Sequence, residues 1–194
     1  MDKLASIFWR VFFVQTFTMQ TDMMTTTQQT KPLAASLLSG AQTLTFLTGP
    51  SGAGKTTFCR DLVAQAYEAG ALVGGFICPA VFQDGKKVGI DMLNVGTGER
   101  RRLGTRSQDN RKPTVGCWQL DESTLAWGNR ILSNLKEAQV VVIDELGPLE
   151  LEDGYGFQEA LALLDEKRYR AALVVVRPAL LPLARLRWPQ AQAM

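Results

Sequence analysis

The chain has 194 residues, 46% hydrophobic and 21% charged, with a formal net charge of +2, a balance that suits one globular domain with a sizeable core and carries no strong nucleic-acid signal. Histidine is absent, which removes Ser-His-Asp triads, Cys-His pairs and histidine metal sites, so any general base must be a carboxylate or, less readily, a lysine, tyrosine or cysteine. Cys59, Cys78 and Cys117 are odd in number and form no C-x-x-C pair; they suggest neither a disulfide framework nor a zinc site and fit a reducing cytoplasm.

Residues 1–32 differ from the rest. Leu4, Ile7, Phe8, Val11 and Phe12 fall at helical spacing, and the polar run TTTQQTKP follows like a linker. Arg10 interrupts the apolar run, the uncharged part after it is too short to cross a bilayer, and no A-x-A site follows. No integral membrane span is expected. The segment reads as a non-catalytic extension, either a peripheral helix or the product of a start upstream of Met19, Met23 or Met24, preceding a domain over 33–194.

The first strand is expected near Thr43, where Leu44, Phe46 and Leu47 make a short apolar run with β-branched Thr43, Thr45 and Thr48, as a buried strand would. A helix should follow, with Phe58, Leu62, Val63, Ala66 and Tyr67 on one face and Gly70 as its cap. Between them lies GPSGAGKTT, in which Gly49, Gly54, Lys55 and Thr56 satisfy G-x-x-x-x-G-K-[ST]. Glycine loses the most backbone entropy on folding, so Gly49, Gly52 and Gly54 need a reason. A loop whose N–H groups surround a phosphate supplies it, with Gly49, Pro50, Ser51, Gly52, Ala53, Gly54, Lys55, Thr56 and Thr57 as the cradle.

Residues 71–95 read as a strand, a turn at Asp84-Gly85 and a returning strand. The stretch 99–112 then concentrates Arg100, Arg101, Arg102, Arg106, Arg111 and Lys112. It is open to three readings: a solvated loop, arginines reaching a γ-phosphate, or a nucleic-acid contact. A short strand VGCWQL and a helix capped by Asp121 lead to VVVIDELGPLE. There Val140 to Ile143 make a strand buried on both faces, which delivers Asp144 to its carboxyl end, where α/β sheets place ligands. Asp144 is therefore a Walker B candidate for holding Mg²⁺ together with the Thr56 hydroxyl. Glu145 next to it is the best-placed group to polarise a water. Glu150, Glu152 and Asp153 read as solvated loop acids. A helix over FQEALALLDEKRYR and a buried strand AALVVVRP follow. If that strand lies between the other two, Arg177 ends near the phosphates as a sensor; otherwise it starts a helix or forms a salt bridge. Alternating strands and helices imply a mainly parallel sheet covered on both faces, with an inserted antiparallel hairpin.

GPSGAGKTT, the 74–104 segment, VGCWQLD and VVIDELGPLEL together resemble the thermophile-type nucleoside-triphosphatases, a P-loop family of the RecA-like, additional-strand class that includes the cancer-related nucleoside triphosphatase of animals. The likeness runs from about Leu44 to Val176. It implies slow Mg²⁺-dependent hydrolysis of several nucleoside triphosphates, ATP and GTP among them, with weak base preference. By motif position it puts phosphate binding on Gly49 to Thr57, metal holding on Thr56 and Asp144, and water activation on Glu145. A small-molecule kinase using the same loop remains the alternative, with the basic stretch as its lid. A GTPase switch is disfavoured, since D-x-x-G at Asp144 to Gly147 has no N-K-x-D downstream. No feature specifies an oligomeric state.

Overall fold

The computed structural model describes residues 42–106, 117–136 and 138–194, so the 1–32 extension and Arg111 and Lys112 lie outside the described residues. The P-loop unit forms as the spacing predicts: β1 (Thr43–Leu47) runs into the loop, and α1 (Lys55–Glu68) leaves it. Phe58, Cys59, Leu62, Val63 and Ala66 are its buried face, while Tyr67 is half-buried and donates its hydroxyl to the Val95 carbonyl.

After α1 come β2 (Val73–Ile77), β3 (Ala80–Gln83) and β4 (Lys86–Asn94). Asp84 and Gly85 both take positive φ, 49° and 73°, the two-residue turn whose twist matches a hairpin. The basic stretch is not a loop in its described part. Arg100–Arg106 form β5, antiparallel to β4, with β6 (Trp118–Leu120) beyond it. Buried Asp91 on β4 accounts for this: it accepts from Arg102 Nε at 2.6 Å and lies 3.7 Å from Arg100 Nη1, so two of the arginines are held along the sheet.

Asp121 caps α2 (Glu122–Ser133), accepting from the Thr124 N–H at 2.8 Å. Then follow β7 (Val140–Leu146), α3 (Pro148–Leu151), α4 (Gln158–Asp165) and β8 (Ala171–Val176). A 3₁₀ turn, α5 (Leu181–Arg187) and β9 (Gln192–Ala193) complete the chain. The strand order is β6-β5-β4-β2-β7-β8-β1-β9, with β3 paired to β4. Strands β2, β7, β8, β1 and β9 run parallel, and β3 to β6 make an antiparallel wing on one side.

Two cores sandwich this sheet. Val140 and Val142 join α1 residues on one face, while Val141 and Ile143 join Leu132, Leu163, Leu164 and Trp188 on the other, which is why the strand reads as an unbroken apolar run. The proline-containing end is structured: Trp188 packs edge-on to Phe46, 6.1 Å between centroids, and β9 pairs with β1. Met194 accepts from the Thr48 N–H at 3.0 Å, directly before the loop.

Candidate active site

The strand order brings the carboxyl ends of β7, β8 and β1 side by side, and every nominated site residue hangs from them or from α1. In the loop, Gly52 and Gly54 have φ of +82° and +84°, where a side chain would be strained. A Cβ at either would meet nothing within 4 Å, so the requirement is conformational and not steric. Pro50, Ser51, Gly52, Ala53, Gly54 and Thr57 are exposed. The first turn of α1 carries no acidic residue and no side-chain cap, leaving its N–H groups and positive dipole end for an anion. Lys55 Nζ donates to the carbonyls of Gly49 and Pro50, at 2.7 and 2.8 Å, which holds the ammonium against the loop.

Asp144 is buried, 4% exposed. Its carboxylate accepts from the Cys78 N–H at 3.1 Å and from the Thr56 hydroxyl, tying the start of α1 to the ends of β7 and β2. Burial pushes its pKa up to about 6, against the opposing pull of the Cys78 N–H, Thr56 and Lys55. A buried carboxylate touching a hydroxyl at the mouth of a phosphate loop is a hard-oxygen pair, the donor chemistry Mg²⁺ takes when substrate phosphates and water fill its other positions. Among the described residues no group of three or more His, Cys, Asp or Glu gathers as an all-protein cage.

The pairing of β7 with β8 shifts between Ile143 and Leu146, and the Asp144–Glu145 peptide is cis. Glu145 is part-exposed and accepts from Arg177 Nε at 2.6 Å. Since β8 does lie between β7 and β1, Arg177 at its carboxyl end arrives beside the site. It also precedes the 3₁₀ turn as its cap residue, so the helix-start and salt-bridge roles are both observed.

One acid corrects the sequence reading. Glu150 is 6% exposed, not solvated; it accepts from the N–H groups of Gly147 at 2.8 Å and Phe157 at 2.9 Å. These bonds fold the segment after Glu145 back onto the start of α4. Burial raises the Glu150 carboxyl above the ordinary range despite both N–H groups. Glu152 and Asp153 are exposed as expected. The G-P-L-E spacing, which puts a glutamate three residues after Gly147, was the signal that could have revealed this N-terminal capping arrangement.

Comparison with known proteins identifies the family. The chain is 40% identical over 106 residues to nucleoside-triphosphatase THEP1 of Ignicoccus hospitalis, covering 55% of this chain and 60% of that protein. It is 31% identical over 124 residues to THEP1 of Caldivirga maquilingensis, covering 64% and 70%. The solution structure of a human cancer-related nucleoside triphosphatase superposes with a TM-score of 0.60 at 25% identity, covering 78% of this chain and 87% of that one. THEP1 from Aquifex aeolicus shares the fold at a TM-score of 0.56 and 17% identity over the same shares. Residues 44–186 match the family model described as NTPase, and the chain belongs to that family of P-loop proteins.

Proposed function

We propose that the protein hydrolyses nucleoside 5′-triphosphates, ATP and GTP among them, to the diphosphate and phosphate, with Mg²⁺ and with broad base specificity. The observation that carries this reading is the convergence of Lys55, the Thr56–Asp144 pair and Glu145 at adjacent strand ends. Gly49 to Thr57 hold the phosphates with backbone N–H groups, and Lys55 adds a positive charge. Thr56 and Asp144 are the residues that would hold Mg²⁺, which when bound neutralises charge on the phosphate oxygens. Glu145 takes a proton from the attacking water; the new bond forms between the water oxygen and the γ-phosphorus while the bond to the bridging oxygen breaks. Arg177 orients Glu145 through the 2.6 Å bond. Its Nη groups make no ion pair among the described residues, leaving them to meet transition-state charge.

A kinase would need an acceptor-closing lid. The described part of the basic stretch, Arg100–Arg106, is instead strand β5, with four strands between it and β1, so hydrolysis is the better supported reaction. Residues 33–194 are the catalytic domain and 1–32 a non-catalytic extension of a cytoplasmic protein. No helix among the described residues is long and apolar enough to cross a membrane.

The test is Glu145→Gln, which keeps the acceptor for Arg177 but removes the base. Phosphate release at saturating nucleotide should fall about 10²- to 10⁴-fold, roughly 3 to 5.5 kcal/mol of barrier, while titrated nucleotide affinity stays near the parent's. A variant releasing phosphate at the parental rate would exclude Glu145 as base and favour a kinase with incidental hydrolysis.

A further inference from the structure

The antiparallel wing carries a row of side chains that the nucleotide site does not use. Phe82 on β3 stands opposite Lys87 on β4, and Arg106 on β5 opposite Trp118 on β6. Directly opposed residues share a face of the sheet. Lys87 Nζ lies 4.8 Å from the centroid of the Trp118 ring, so it joins the two pairs into one row across four strands, with two cationic groups between two aromatic ones. Phe82 is 65% exposed, although phenylalanine is among the residues most often buried. Lys87 and Arg106 are exposed and Trp118 half-buried.

Charge accumulates here beyond the chain's average. Residues 80–106 hold six basic and three acidic side chains, against a net +2 for the whole protein. Asp91 occupies Arg100 and Arg102, and Glu99 pairs with Arg101. Among the described residues, the cations left along the rim are Lys86, Lys87 and Arg106, opposed by Asp84 at the hairpin turn.

We propose that this face binds single-stranded nucleic acid, with bases stacking on Phe82 and on the Trp118 ring as Lys87 leaves that ring to meet the phosphate backbone with Arg106. Two aromatics three strand spacings apart, about 14 Å, present flat surfaces to unpaired bases, which every base can use regardless of sequence. A duplex hides those faces in its own stack. The row sits on the wing, with four strands between β5 and the P-loop strand, so both ligands can be held together.

The experiment is fluorescence anisotropy of the full chain with a 3′-labelled, 5′-hydroxyl oligouridylate of about 20 nucleotides, in parallel with the same length of duplex. The single strand should bind with an affinity that falls as salt rises, and more tightly than the duplex. Phe82→Ala and Trp118→Ala should each weaken it at least about fivefold, the low end of measured base stacking. Phe82→Ala should leave nucleotide hydrolysis unchanged, and Lys55→Ala should leave oligonucleotide binding unchanged. Absence of binding at low salt would overturn the proposal. So would aromatic variants that bind like the parent while Lys87→Ala alone weakens binding, which is bulk charge attraction. Phe82-dependent co-sedimentation with phosphatidylserine vesicles, without Phe82-dependent oligonucleotide binding, would assign the face to a membrane surface instead.

Discussion

Glu150→Ala tests whether the buried carboxylate behind the candidate base holds the site together. The substitution removes the acceptor of two buried N–H groups, those of Gly147 and Phe157. Each buried donor left without a partner costs about 1 to 3 kcal/mol. Against this, the variant no longer buries a carboxylate that its surroundings already disfavour in charged form, which places the net loss in the lower half of the range, about 2 to 4 kcal/mol. At a urea slope near 2 kcal/mol per molar, the unfolding midpoint should fall by about 1 to 2 M. The pH dependence has a definite sign. Because the folded pKa is raised, the stability that Glu150 contributes is fully present below the ordinary glutamate value near 4.3 and is lost as pH climbs through the raised one. The gap between parent and variant should therefore be widest at acid pH and narrow toward neutrality. Since Gly147 follows Glu145 by two residues, kcat should drop more than nucleotide affinity. A midpoint within about 0.25 M of the parent's, or a gap that widens as pH rises, would refute the reasoning.

Lys55→Ala removes the side-chain charge held on the Gly49 and Pro50 carbonyls; it should weaken triphosphate binding and abolish measurable phosphate release, read by titration and by a phosphate assay. A chain starting at Met24 should fold and hydrolyse nucleotide like the full-length protein, because the strand feeding the loop begins at Thr43; loss of solubility or rate on that truncation would place the apolar segment on the domain.

How far the sequence carried depends on whether a feature is local. Gly49 to Thr57 were legible because their spacing encodes one backbone path between a strand and a helix. Asp144 was legible because four apolar residues before it fix where it emerges. Arg177 needed one further fact, the position of β8 between β7 and β1, which no local pattern contains. Glu150 was misread for the same reason: its burial depends on Phe157, seven residues on, turning back to donate to it. The solvated-loop reading, one of three left open for the basic stretch, fails for Arg100 to Arg106 because the group that holds Arg100 and Arg102, Asp91, lies on another strand and no local pattern contains it. The tie between β9 and β1 joins residues from opposite ends of the described chain, and its short polar sequence carries no strand signal of its own.

That last pairing has a consequence for how the protein comes into being. β1 is an edge strand until Gln192 and Ala193 dock beside Thr45 and Phe46, and its other neighbour, β8, is also made late. A chain growing from its amino end therefore carries the phosphate loop long before either flank of its supporting strand exists. An uncovered strand edge invites pairing with other chains, and contacts of such high sequence separation form slowly because the loop-closure entropy must be met first. The interval in which the nascent protein is most exposed to misassembly thus lasts until Gln192 and Ala193 have been made and can dock, and the nucleotide pocket acquires its finished shape no earlier than that.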